Sequence, residues 1–152
     1  MRLRLIVVGR LKPGPHLDLQ RHYAERIRWP LEIREVEERK KLPPAALKER
    51  EAALLLGELP DGAVAVALDA RGKPLASEAF AAQLAAWRDE AADVAFLIGG
   101  ADGLAEAVRR RADRVLSLGP MVWPHFLVRG MLLEQIYRAQ QILAGHPYHR
   151  AD

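Results

Sequence analysis

The run Ala63 to Leu68 reads AVAVAL, six apolar residues with no polar alternation. A strand of that kind is buried on both faces of its sheet. Its sheet needs a covering layer on each side, and helices supply such layers. Two further runs have the same character. Leu3 to Val8 is apolar and β-branched and ends at Gly9, and Asp93 to Ile98 reads DVAFLI. The segments between them have helical spacing. His16 to Arg28 places Leu19, Tyr23 and Ile27 on one face and is closed by Pro30. Leu31 to Val36 alternates apolar residues with charge and reads as a further strand. After the break at Pro43-Pro44, Ala45 to Leu59 is a helix with Leu47, Leu54 and Leu55 toward the core. Asp69 is expected to end the AVAVAL strand, with Ala70 to Pro74 as a loop. Ser77 is expected to cap a helix reaching about Arg88. The turn Gly99-Gly100-Ala101-Asp102-Gly103 precedes a helix from Leu104 to about Arg111, and Val115 to Leu118 is the last strand. Strands that alternate with helices predict a parallel α/β sheet, here in one domain spanning 1–152.

Composition removes several classes. There is no cysteine, hence no disulfide and no thiolate chemistry. Asparagine and threonine are also absent and arginine outnumbers lysine, which fits a GC-rich genome. No apolar stretch reaches the ~18 residues of a transmembrane helix. The basic, apolar start MRLRLIVVGRLKPG lacks a small-residue cleavage site and reads as a first strand rather than a signal peptide, so a cytoplasmic protein is expected. A net charge of +3 and a pI near 9.5 permit a nucleic-acid partner without requiring one.

The stretch VLSLGPMVWPHFLVRGMLLEQIYRAQQILAGHPYHR, from Val115 to Arg150, carries most of the candidate chemistry. A strand stops at Gly119-Pro120, and a cramped segment with a second proline, Pro124, leads into a helix from His125 to about Ala144. A basic, aromatic tail follows Gly145. Ligands of open α/β sheets gather at the carboxyl ends of strands. Three such ends stand out: Leu68-Asp69, Gly99-Gly100 and Leu118-Gly119-Pro120. The glycine turn has GGxxG spacing, unlike a GxGxxG dinucleotide fingerprint, and two readings of it are open: a ligand-approaching backbone or a tight turn alone. His146 and His149 lack a cysteine or paired carboxylate to complete a metal site, so no metal is expected. As a terminus the tail is expected to fray. Its side chains also suit nucleic acid: Tyr148 can stack on a base, and His149 and Arg150 can contact phosphate or a base edge. On the long helix, Met131, Leu132, Gln135, Ile136, Ala139, Ile142 and Leu143 form an apolar stripe that serves either a core or a dimer seam. Arg129, Glu134, Tyr137 and Arg138 lie outside or beside it, each read as solvated surface unless an aligned Tyr-Arg pair stands next to a bound anion. The clusters Arg39-Lys40-Lys41 and Arg109-Arg110-Arg111 read as solvated faces unless RNA is the partner.

The order IGGADGL, LSLGPMVWPHFLVR, EQIYRA and terminal HPYHR resembles the RlmH family, ribosomal RNA large-subunit methyltransferases of the SPOUT class. The resemblance spans essentially the whole chain, including LIVVGRLK and the LDARGK loop. It implies an α/β SPOUT fold with a parallel sheet and a C-terminal trefoil knot, a topology that pattern alone does not suggest. It implies S-adenosylmethionine as cofactor and a homodimer with its active site at the subunit interface. The implied reaction is N3 methylation of a pseudouridine in 23S ribosomal RNA within the assembled 70S ribosome. The family's cofactor positions fall on Leu68, Gly100, Gly119, Pro120, Met121, Val122, Trp123 and Pro124, the same three strand ends. The expected catalytic set is Tyr148 and His149 to orient the base, His149 to take or relay its proton, and Arg150 and Arg138 to hold phosphate or offset charge. His125 and Arg129 are second choices. Two rivals rank lower. A dinucleotide enzyme needs an acidic residue at the end of the strand after its glycine loop, where this chain has Gly119-Pro120. A non-catalytic ribosome-binding module would bind RNA but not the cofactor.

Overall fold

A computed structural model describes residues 1–150; the last two residues of the expected domain lie outside the described residues. Five strands form one wholly parallel sheet in the order β2-β1-β4-β3-β5. They are β1 (Leu3–Val8), β2 (Leu31–Val36), β3 (Val64–Pro74), β4 (Val94–Ile98) and β5 (Arg114–Ser117). The helices are α1 (Pro15–Ala24), α2 (Pro44–Gly57), α3 (Ser77–Asp89), α4 (Glu106–Arg111) and α5 (His125–Leu143).

The pattern of each strand follows its place in the sheet. The apolar runs β1, β4 and β3 are its three inner strands, and β2, with alternating charge, is an edge. Side chains alternate across the pleat. Leu3, Leu5 and Val7 therefore enter one core with Phe96, Leu84, Leu132, Leu133 and Ile136, under α1, α3 and α5. Ile6 and Val8 enter a second core with Ala65, Ala67, Leu97, Leu55 and Val108, under α2 and α4. No helix among the described residues is long and apolar enough to cross a membrane.

Four local expectations are corrected. β3 does not end at Asp69. It continues to Pro74 through an irregularity in which Leu116 of β5 pairs with both Leu68 and Lys73. Gly72 permits this, because a Cβ there would lie 2.5 Å from the Val115 carbonyl oxygen. Ser77 is not a cap. It is the first residue of α3, and its hydroxyl donates to Gln135 Oε1 at 2.7 Å, tying α3 to α5. The tail does not fray within the described residues: Tyr148 and His149 are half-buried against α5. Arg129 is no surface residue. It is the largest fully buried side chain, and its guanidinium donates to Glu35 Oε2 (2.7 Å), the Gly9 carbonyl (2.7 Å) and the Val8 carbonyl (3.2 Å). It braces α5 against the ends of β1 and β2.

Candidate active site

A cavity of about 310 Å³ opens beside the irregularity in β3 and at the carboxyl ends of β4 and β5. Its wall includes Leu68, Gly100, Gly119, Met121, Val122 and Trp123 of the sequence-derived set. Pro120 and Pro124 belong to the same loop without lining it, and Pro124 is the residue from which α5 starts. The backbone at Gly119 has φ +108, a conformation glycine adopts without steric cost. Gly100 is needed for space, since a Cβ there would meet Val8 Cγ1 at 3.0 Å and Glu51 Oε2 at 3.1 Å. Met121 and Val122 are largely exposed, an apolar rim for the cavity.

Ser117 holds the loop in shape. Its buried Oγ accepts the Gly119 N–H at 3.0 Å and lies within donating distance of the carbonyls of Ala70 (3.2 Å) and Gly119 (3.1 Å). The Trp123 indole N–H reaches the Leu118 carbonyl at 3.4 Å. Beneath them, Asp69 accepts from the Arg71 backbone N–H at 2.8 Å and from its guanidinium at 3.1 and 3.2 Å. Burial opposes ionisation of Asp69, but the hydrogen bonds from Arg71 and the charges of Arg71 and Arg109 outweigh it and hold its pKa down. Arg109 also donates to the Leu104 carbonyl at 2.7 Å, so one member of the Arg109-Arg110-Arg111 cluster is structural. His125 lines the same cavity. Burial, then the charges of Arg129 and His16, push its pKa below the ordinary value, leaving a neutral imidazole at neutral pH.

The tail residues gather elsewhere. Glu134 Oε1 accepts two N–H groups of Arg138, from Nε at 3.0 Å and Nη2 at 2.6 Å, and the Tyr148 hydroxyl at 3.0 Å. The Arg138 guanidinium lies over the Tyr148 ring, 4.9 Å from its centroid. Burial and the bond to Glu134 push the Tyr148 pKa well up, so its phenol stays protonated. His149 lies between Arg138 Nη1 (3.1 Å to Nδ1) and Glu78 Oε1 (2.7 Å to Nε2). Arg150 is exposed. A second cavity, of about 470 Å³, is lined by Glu134, Gln135, Tyr23 and Ser77 and shares Leu116 and Leu118 with the first. The structure thus groups Arg138, Tyr148 and His149 together, while the first cavity holds the loop residues and none of the tail.

Three participants were missed in the sequence. Ser117 had a faint signal, a polar residue inside an apolar run at a strand end. Glu51 had a clearer one. It falls between Leu47 and Leu55 on the buried stripe of α2, and a carboxylate on such a stripe is unusual. Its Oε1 is buried with no hydrogen-bond partner in the protein, and burial, then the nearby Asp102 charge, push its pKa up. Glu78 carried no local signal.

The family model described as predicted SPOUT methyltransferase matches residues 1–149. The ribosomal RNA large subunit methyltransferase H of Rhodospirillum centenum is 65% identical over 152 residues, covering 99% of this chain and 100% of that protein. The protein of the same name from Paramagnetospirillum magneticum is 55% identical over 151 residues, covering 99% of each. Among solved structures, a probable methyltransferase from Bordetella pertussis superposes with a TM-score of 0.61 at 20% identity, over 91% of this chain and 95% of that one. The SpoU methyltransferase AviRb of Streptomyces viridochromogenes, in complex with AdoMet, gives 0.51 at 16% identity, over 93% and 58%. At such identities the structures speak for the fold alone. With the family model matched over residues 1–149, high identity over full length, and a wholly parallel sheet, the chain belongs to the SPOUT methyltransferase family, among the ribosomal RNA large subunit methyltransferase H proteins.

Proposed function

We propose that the protein methylates N3 of a pseudouridine in 23S ribosomal RNA within the assembled ribosome, with S-adenosylmethionine as donor. It acts as a cytoplasmic homodimer, each chain a single domain with a C-terminal trefoil knot. The observation that carries the reading is the cavity beside the β3 irregularity and at the ends of β4 and β5, whose wall contains Leu68, Gly100, Gly119, Met121, Val122 and Trp123.

The cavity's chemistry fits the cofactor. A sulfonium is cationic, so an apolar wall, carbonyl oxygens and a neutral His125 suit it. Arg71, the cation in the wall, is engaged by Asp69. A volume of about 310 Å³ is at the lower end of the ~300–1,000 Å³ of small-molecule sites. Leu68, Gly100 and the loop backbone would hold the cofactor, with Met121, Val122 and Trp123 against its apolar parts. When bound, it supplies an electrophilic methyl group for in-line displacement.

The chain's own residues supply placement and proton handling. N3 of a uracil-type ring carries a proton that must leave for attack. His149 takes it at Nδ1, Arg138 offsets the charge that develops on the ring, and Tyr148, its one O–H donated to Glu134, orients the base with its ring. Arg150 contacts phosphate. The tail lines none of the cofactor cavity of its own protomer, and the exposed Met121–Val122 rim calls for a cover. Both points support completion of the site by a second copy. The placement of β5 beside β3, with the following loop returning to line β4's glycine turn, supports the knot.

The test is calorimetric titration with S-adenosylmethionine, followed by methylation of ribosomes that lack the modification. Saturable binding and one methyl per ribosome, mapped to pseudouridine N3, are expected. Methylation of free RNA but not of ribosomes, or of another atom, overturns the reading.

A further inference from the structure

We propose that Glu78 is a positioning residue for His149, holding its imidazole through Nε2–H so that the Nδ1 lone pair is the basic site, masked by Arg138 until substrate arrives. This rests on the reading of His149 as proton acceptor.

The assignment follows from donor and acceptor counts. A guanidinium has N–H donors and no acceptor, so the ring nitrogen facing it must present a lone pair. Arg138 Nη1 lies 3.1 Å from His149 Nδ1. An ionised carboxylate accepts and does not donate. Glu78 Oε1 lies 2.7 Å from Nε2, so that nitrogen carries the proton. The His149 hydrogen bond in turn helps to hold the Glu78 pKa below the ordinary range. Together the two contacts admit one neutral tautomer. The neighbours on each side are themselves fixed. Arg138 is anchored twice by Glu134, and Glu78 stands in the first turn of α3, on a different element from the tail.

This arrangement has a functional consequence. In the free protein the Nδ1 lone pair of His149 already receives a hydrogen bond from Arg138. A uracil N3–H can replace the Arg138 N–H at the same nitrogen. The proton then passes from N3 to Nδ1, and the freed Arg138 donors face the ring whose negative charge is developing. Glu78 keeps its hold on Nε2–H throughout and stabilises the imidazolium that results, as a carboxylate behind a catalytic histidine does.

The experiment combines proton–nitrogen correlation spectra of the full-length protein with single-turnover methylation of ribosomes. Wild type should show a downfield, slowly exchanging Nε2–H resonance and a lone-pair Nδ1, assigned to His149 by their loss in His149→Ala. Glu78→Leu should remove the resonance and slow methylation about tenfold or more, while affinity for S-adenosylmethionine stays within about twofold. Glu78→Gln, whose amide oxygen still accepts, should restore the resonance and part of the rate. Persistence of the resonance in Glu78→Leu, or a proton on Nδ1 in wild type, overturns the proposal. Normal methylation by His149→Ala overturns instead the role of His149, and the resonance then decides whether Glu78 holds the ring.

Discussion

Arg129 offers the sharpest separation of a structural from a catalytic role. Its guanidinium is fully buried and holds Glu35, the Val8 carbonyl and the Gly9 carbonyl at 2.7–3.2 Å. Arg129→Met keeps much of the volume and removes all three bonds. Breaking a buried ion pair by deleting one partner costs about 3–5 kcal/mol. Glu35 retains 31% side-chain exposure and can recover water, which points to the lower end, about 3 kcal/mol. At roughly 2–4 °C per kcal/mol for a chain of this size, the melting temperature should fall by about 6–12 °C. Glu35→Gln should cost a similar amount, about 3 kcal/mol, because the amide oxygen still accepts but the fully buried guanidinium loses its counter-charge. Burial works against the Glu35 charge, but bonds from Arg129 and the Leu11 N–H, with the charges of Arg129 and Arg10, hold its pKa below 4.5. A depressed carboxylate pKa stabilises the fold fully above its unfolded value, and that contribution is lost as pH falls through the lower folded value. The stability gap between wild type and Arg129→Met should therefore narrow in acid, below about pH 4.5. Urea unfolding across pH, alongside cofactor titration, measures this. An Arg129→Met protein that unfolds within about 1 kcal/mol of wild type yet has lost methylation would refute the bracing role.

Gly100→Ala forces a methyl against Val8 and the Glu51 carboxylate; calorimetry should show cofactor affinity reduced about tenfold or more with the fold retained. Tyr148→Phe removes the hydroxyl bond to Glu134, at a cost of about 0.5–1.5 kcal/mol in stability and a larger loss in methylation, read by single turnover. In an alkaline absorbance titration, Tyr148 should still be protonated where an ordinary tyrosine has ionised, and the late-titrating phenol should vanish in that variant. Glu51→Gln should raise the unfolding midpoint at neutral pH. A carboxyl whose folded pKa is raised contributes most below its unfolded value and loses that contribution as pH rises, so the gain should disappear in acid.

Much of the sheet was legible because burial on two faces writes itself into composition. AVAVAL and DVAFLI are inner strands, and LEIREV, with its alternating charge, is an edge. Strand ends were legible too, since Gly99-Gly100 and Gly119-Pro120 stop a strand by backbone chemistry alone. What failed was local inference at positions whose partners are distant in sequence. Ser77 looks like a cap until Gln135, on another helix, is brought to its hydroxyl. The Asp69–Pro74 loop looks irregular until β5 arrives beside Gly72 and pairs with it. Arg129 looks like a solvated residue beside an apolar stripe because Glu35 and the Val8 and Gly9 carbonyls are far off in the chain.

The sequence by itself determined the α/β class, the places where strands stop, and the family to which the chain belongs. Hydrophobic period, glycine and proline act within a few residues and need no tertiary context. Only the tertiary structure decided which charges are struts and which are free to act. Arg129 is spent on bracing α5 and Arg109 on the Leu104 carbonyl and Asp69 of β3, while Arg138, held by Glu134, faces His149. An ion pair or a shared proton depends on a gap of about 3 Å between groups that folding alone brings together.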